Sequence, residues 1–233
     1  MNLFLDSNVW LALYDSSRRD LQELEKLVRS VEQGRVVLLL PEQVVNEVRR
    51  NRDKKIANDI SELQAEILLE EIPPIFFGLP EYKSFAQTRR NYERARERLI
   101  ARLVDDFEHR RLPADHLLDR LFAAGRRLPV TDEILVRARS RYDLGNPPGK
   151  EGSYGDAVNW ECLLAEIPPG QELHLVTRDR DFASRIDRSR LSPFLEEEWH
   201  ERKASRIFFY PRLSAFCCDH LPEVRLEGEE GAP

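Results

Sequence analysis

Cysteine is scarce in this chain. Cys162, Cys217 and Cys218 are the three it has, and two of them are adjacent, so no disulfide framework can be built. That usage belongs to a reducing compartment. No apolar run approaches the roughly 20 residues that span a bilayer. The N-terminal Met1-Asn2-Leu3 leads straight into a strand, with an acid at position 6 and no basic leader, which argues against a signal peptide. A soluble cytoplasmic protein with no membrane partner is therefore expected. An excess of basic charge is missing too: 36 Lys and Arg stand against 42 Asp and Glu, a net charge of −6. This excludes a uniformly basic coat and leaves nucleic-acid binding to local patches. The five histidines (His109, His116, His174, His200, His220) are scattered. Cys217-Cys218-Asp219-His220 is too compressed for zinc spacing. There is no internal repeat.

The chain has 233 residues, 41% hydrophobic and 33% charged, enough for one large α/β domain or one domain with an insertion. Its apolar residues come in short runs that read as buried strands of a parallel sheet: 3–5, 35–40, 172–177 and 206–210. Helical spacing covers 15–33, with Gly34 as its stop. Another helix opens at Pro41 and extends to about residue 69. Ile75-Phe76-Phe77 reads as a short strand or a buried connection. A long, charged helix follows over 81–111, and a shorter one over 114–124, so residues 78–128 read as a helical insertion. Thr131 caps a helix to Tyr142, Asp156 opens one to Glu166, and Leu213–His220 closes the chain. Strands alternating with helices imply a doubly wound α/β sheet.

Four acids stand where such a sheet binds ligands, beyond the C-terminal ends of its strands. Asp6 ends the first strand, and Glu47 lies two turns into the helix after the second. Asp156 follows a loop rich in glycine and proline, and Asp179 follows the run 172–177. Each taken alone also fits a cap, a turn or a solvated helix acid. Packed together, they would repel and raise each other's pKa unless a cation neutralised them. Hard divalent ions such as Mg²⁺ or Mn²⁺ take oxygen ligands of this kind, and such ions promote phosphodiester hydrolysis.

Leu-Phe-Leu-Asp6-Ser-Asn-Val-Trp, Pro41-Glu-Gln-Val-Val-Asn-Glu47, Gly155-Asp156-Ala157 and Leu175-Val-Thr177-Arg-Asp179-Arg-Asp181-Phe182 resemble the ordered acidic motifs of PIN-domain nucleases. Asn146-Pro-Pro-Gly-Lys150, with Ser153, Gly155-Asp156-Ala157 and Trp160-Glu161, resembles a bacterial PIN-like subfamily. The resemblance covers about 1–72 and 130–215 and leaves 78–128 unassigned. It implies a PIN-like three-layer α/β/α fold with a central, mostly parallel sheet and a helical insertion. That would be a single domain over 1–220, with 221–233 an acidic, disordered tail. It implies Mg²⁺ or Mn²⁺ held by Asp6, Glu47, Asp156 and Asp179, which activate the attacking water, with Asp181 replacing or assisting Asp179. Asn8, Lys150, Ser153, Thr177, Arg178 and Arg49 are the expected substrate contacts, Thr177 also orienting the site. RNA is the implied substrate, an antitoxin or other regulatory protein the implied partner, and a homodimer a further expectation.

Two motifs fail on inspection. Gly149-Lys150 is followed by Glu151, so the phosphate-loop pattern G-x-x-x-x-G-K-[ST] is broken, although backbone amides and Lys150 still suit a phosphate. Gly152-Ser153-Tyr154-Gly155 lacks the G-x-S-x-G of a nucleophile elbow. An aspartyl-phosphatase reading needs a second Asp two positions after Asp6, where Asn8 stands. A binding module that has lost turnover is the non-enzymatic alternative. Arginines cluster at 49–52, 178–185 and 89–102, and read either as phosphate contacts or as helix faces laced by ion pairs.

Overall fold

Leu3, Phe4 and Leu5 are fully buried because they form the central strand of a sheet covered on both faces. The computed structural model describes residues 1–65, 72–149 and 153–226. Strands β1 (Asn2–Leu5), β2 (Val37–Pro41), β3 (Arg126–Leu128), β4 (Leu173–Val176) and β5 (Ile207–Tyr210) pair in the order β3-β2-β1-β4-β5, parallel throughout. Helices α1 (Ser7–Ala12), α2 (Arg18–Glu32), α3 (Glu42–Ala65), α4 (Tyr82–Glu108), α5 (Pro113–Ala124), α6 (Asp132–Asp143), α7 (Gly155–Glu166), α8 (Pro193–Lys203) and α9 (Leu213–His220) complete the chain. The fold is a three-layer α/β/α sandwich, with a sheet that is wholly parallel where a mostly parallel one was expected.

The chain divides into two compact units, Met1–Asn51 with Leu117–Pro233, and Arg52–His116. The first carries the sheet, and Trp10, Trp160, Trp199, Phe182 and Phe216 are fully buried in it. Trp10 donates its indole N–H to the Leu5 carbonyl at 2.9 Å and meets Phe122 edge-on, with ring centroids 5.0 Å apart. The second unit holds the later part of α3, the whole of α4 and the start of α5. Its anchor is a bidentate pair: Arg52 Nε and Nη2 donate to Asp115 Oδ1 and Oδ2 at 2.8 and 2.7 Å, with Asp115 fully buried. The same guanidinium lies 4.2 Å from the centroid of the Phe107 ring.

Four local expectations change. Arg126-Arg127-Leu128, placed by the sequence at the end of an insertion, is an edge strand; three residues, two of them charged, carry no period of two. α8 escaped the sequence pattern because six of its eleven residues are charged and one more is histidine. Leu195, Trp199 and the aliphatic stem of Lys203 nevertheless bury it. Ile75-Phe76-Phe77 is not a buried segment: Pro74–Phe76 is a 3₁₀ turn, and the three apolar side chains are 81%, 48% and 52% exposed. Residues 221–226, expected to begin a disordered tail, are packed. Leu221 and Val224 are buried, and the Arg225 amide donates to Glu23 Oε2 at 2.8 Å. The remainder of that tail lies outside the described residues.

His174, on β4, is buried with its ring stacked on Phe208 (4.8 Å, 9°) and edge-on to Phe216 and His220. Burial, then the neighbouring His220, push its pKa down to about 4, against a smaller opposing pull from Glu172; the N-terminal ammonium adds a further downward push. Its Nδ1 has no hydrogen-bond partner among the described residues. Between pH 6.5 and 4 the unfolded chain therefore binds this proton before the folded one does. The stabilisation from neutral His174 is fully present above 6.5 and is lost as pH falls to 4, by about 3 kcal/mol. A His174→Phe protein should lose correspondingly less stability between pH 7 and 4.5 in urea titrations. Parallel slopes for the two proteins would show that the pKa of His174 is not depressed by folding. Among the described residues, no helix is long and apolar enough to cross a membrane.

Candidate metal and active site

The parallel register decides where the acids meet. Leu5 lies beside Val176 across the β1–β4 pair, so the next residues, Asp6 and Thr177, leave the same sheet edge side by side. The Asp6 amide donates to the Val176 carbonyl at 3.0 Å, extending the ladder by one step. β2 ends at the same edge, and α3 follows at once, which carries Gln43 and Glu47 above it one turn apart.

Asp6 is 1% exposed and N-caps α1. Its Oδ1 accepts from the Ser7 amide at 2.7 Å. Its Oδ2 accepts from Asn8 Nδ2 at 2.6 Å and from the Thr177 hydroxyl at 2.7 Å. Burial raises its pKa to about 6, against the hydrogen bonds from Thr177 and Ser7, and the negative charges of Glu47 and Asp179 raise it further. Thr177 Oγ1 in turn accepts from the Asp179 amide at 2.9 Å and from Asn8 Nδ2 at 3.2 Å. Asn8 Oδ1 accepts from the Arg178 amide at 3.2 Å. Asn8 and Thr177 thus tie the turn after β1 to the turn after β4. The Asp181 amide donates to Asp179 Oδ1 at 2.9 Å, closing an Asx turn that brings two carboxylates to one place.

Asp156, Asp179 and Asp181, all half-buried, offer carboxylate oxygens within 4.8 Å of one another. The compact trio therefore includes Asp181 together with Asp179 where the sequence left the choice between them open. Asp6 and Glu47 lie outside the trio but within electrostatic reach: the charges of Glu47 and Asp179 both act on Asp6. The Asp6 oxygens are already accepting three hydrogen bonds, which holds that carboxylate in one orientation.

Gly155 explains how α7 comes so near α3. A Cβ there would lie 3.0 Å from Gln43 Nε2 and 3.4 Å from Glu47 Oε2. The missing side chain leaves room for the Glu47 carboxylate beside the residue that precedes Asp156. Gly155 stands in a sequence motif that gives no hint of this role, and neither Gln43 nor Asn159 is marked out as a site residue by the sequence. Asn159, one turn after Asp156 on α7, is fully buried, and neither side-chain amide atom has a partner among the described residues. Oxygen-only donors, the raised pKa of Asp6 and a buried amide lacking its hydrogen bonds among the described residues all suit a hard divalent cation with its waters.

Other expected contacts are spread out. Ser153 is exposed, with its Oγ accepting from the Gly155 amide at 3.4 Å. Arg49, two residues from Glu47, faces a different side of α3, and after burial its charge is what draws the Arg127 guanidinium below its ordinary pKa. The Arg178 guanidinium is likewise lowered by burial, then by Arg212. Lys150 lies outside the described residues.

Trp160 and Glu161 support the loop before Asp156. Arg141, buried, donates from Nε to Glu161 Oε1 at 2.9 Å and from Nη1 to the Pro147 carbonyl at 2.6 Å, and its Nη2 also pairs with Glu198. The Trp160 indole donates to the other Glu198 oxygen at 2.8 Å. α6, α7, α8 and the Asn146–Gly149 turn are thereby joined through one guanidinium. A family model described as a PIN domain matches residues 3–182. No curated protein and no solved structure matches the chain.

Proposed function

The chain belongs to the PIN-domain family, and from that premise we propose a metal-dependent endoribonuclease that hydrolyses RNA phosphodiester bonds. PIN domains are generally nucleases and typically use a divalent metal. The observation that carries the proposal is the trio Asp156, Asp179 and Asp181, within 4.8 Å of one another beside Asp6 and Glu47. These five acids would hold Mg²⁺ or Mn²⁺. When bound, such an ion lowers the pKa of a coordinated water and neutralises the oxygens of an in-line phosphoryl displacement. The chain's own part is orientation and proton transfer. Thr177, Asn8 and the Ser7 amide keep Asp6 fixed, and a carboxylate of the group takes the proton of the attacking water. The water oxygen bonds to phosphorus as the bond from phosphorus to the leaving sugar oxygen breaks, and that oxygen takes a proton from solvent water to leave as an alcohol. Thr177, Arg178, Arg49, Ser153 and Lys150 are the residues we assign to the substrate strand.

Three finer assignments belong to the same proposal. Asn146–Lys150, Gly155-Asp156-Ala157 and Trp160-Glu161 mark a bacterial subfamily; Arg141, which contacts Pro147 and Glu161, is the reason these distant segments go together. A toxin-like role under an antitoxin is supported by the exposed apolar side chains of Ile75, Phe76, Phe77, Leu79 and Phe85, the surface we assign to a regulator or to a second copy. Cytoplasmic action accords with three free thiols.

The test is cleavage of an end-labelled RNA by the purified chain in Mn²⁺ or Mg²⁺. Products should appear with either ion and vanish in EDTA. Cleavage that persists undiminished in chelator would rule out the metal mechanism. No cleavage under any ion, with RNA still bound, would identify a silent binding module instead.

A further inference from the structure

α4 is 27 residues long, and none of them is fully buried. Over residues 82–100 its half-buried positions, Tyr82, Ala86, Arg89, Glu93, Arg96 and Ile100, recur every three or four residues and define one inward side. Arg90, Arg94 and Arg98 are exposed and fall on another side at i, i+4 and i+8. Residues 82–104 hold seven Lys and Arg against only Glu93 and Glu97, within a chain whose net charge is −6. Basic charge is therefore concentrated on residues 82–104 of this helix, ahead of Asp105, Asp106 and Glu108 at its end.

Ion-pair lacing explains only part of it. Arg89 pairs with Glu93 at 2.9 Å and Arg102 with Asp106 at 2.8 Å, both at i,i+4. Arg94 and Arg98 pair with no carboxylate among the described residues, and Arg90 donates only to the neutral Gln87 amide, at 3.2 Å. The i,i+4 neighbour of Arg90 is Arg94, and that of Arg94 is Arg98. Each such like-charge pair destabilises a helix by about 0.2–0.5 kcal/mol, so the stripe does not serve helix stability. At a rise of 1.5 Å per residue the three guanidinium groups step by about 6 Å along the axis, in a single file. That is the arrangement for successive phosphates of one extended strand.

We propose that Arg90, Arg94 and Arg98 form a phosphate-tracking stripe that binds the backbone of single-stranded RNA. The choice of RNA over another polyanion rests on the ribonuclease reading above. Binding here is electrostatic and indifferent to sequence, and it requires no metal.

The experiment uses the full-length protein in EDTA and a fluorescein-labelled oligouridylate of about 20 nucleotides, followed by anisotropy across a salt series. Replacing all three arginines with glutamine, a good helix former, should weaken binding by about tenfold or more and lower the slope of log K against log salt by about 2. The triple lysine protein should keep most of the affinity, since charge is what the phosphates read. Arg139→Gln, at an exposed arginine on α6 outside both the stripe and the acidic site, should bind like wild type, which ties the loss to the stripe. Equal affinity and slope for wild type and the glutamine protein would overturn the stripe, even if the enzyme cleaves RNA. A lysine protein as weak as the glutamine one would overturn it too. Lost affinity in the glutamine protein, when wild type shows no cleavage with any metal, would leave the stripe standing and sink only the ribonuclease reading.

Discussion

An Asp156→Asn protein is expected to lose RNA cleavage by a factor on the order of 10²–10⁴ while remaining folded. The substitution keeps the shape of the side chain and removes one of three carboxylates whose oxygens lie within 4.8 Å of one another. It withdraws an oxygen ligand and a proton acceptor from the place where the attacking water must be held. Against folding it has two opposed effects. Repulsion from Asp179 and Asp181 is relieved, whereas the first turn of α7 loses an acid worth about 0.3–1 kcal/mol at a helix N-terminus. Stability should therefore change little, and circular dichroism should match wild type. Initial rates over a Mn²⁺ series, with active-site variant and wild type at equal concentration, measure the effect. A loss of less than threefold at saturating metal would remove Asp156 from the chemistry.

Arg141→Met should cost the fold about 3–5 kcal/mol. Glu161 is 3% exposed and Arg141 6%, so the methionine leaves a buried carboxylate facing an apolar stem. The Pro147 carbonyl and Glu198 lose the same guanidinium. Arg202, 3.8 Å from both Glu161 and Glu198, is half in solvent and replaces little of it. Adding Glu161→Gln removes the stranded charge and should recover most of the loss, because the penalty lies in the unpaired ion more than in the missing pair. Denaturant midpoints of the single and double variants decide it. If Arg141→Met costs under about 1 kcal/mol, water or Arg202 reaches Glu161 and the cluster is not closed.

The positions of these groups were unequally legible. Asp6 and Asp179 could be located in the sequence because a buried parallel strand is a short apolar run whose end marks the sheet edge, whereas Glu47 and Asp156 stood out through the helices that follow a strand and a breaker-rich loop. Register then did what pattern could not. Leu5 beside Val176 puts Asp6 next to Thr177, 171 residues away, at 2.7 Å. Asp181 joined the compact trio because the Asx turn from Asp179 returns it to the same place, a geometry that alternating Arg and Asp does not announce. Gly155 and Gln43 stood inside motifs that gave them no role of their own, and Asn159 carried no signal: the first two are defined by what a Cβ would strike, the third by burial.

The helical arm shows the same division. Its length and charge are plain in the sequence, but laced ion pairs and a phosphate stripe have the same composition. Only the helix geometry shows that Arg89 and Arg102 meet acids while Arg90, Arg94 and Arg98 follow one another.

What the sequence alone determined was the set of elements that local hydrophobic period can encode: four of the five strands, the long helices and the acids at strand ends. Each depends on residues near in the chain, where side-chain spacing and backbone geometry are coupled directly. The tertiary structure alone decided the edge strand β3, the burial of α8 through Trp199, the outward exposure of Ile75-Phe76-Phe77 and the grouping of Asp156 with Asp179 and Asp181. Those depend on which surfaces meet at long range, and burial and carboxylate repulsion exist only once they have met.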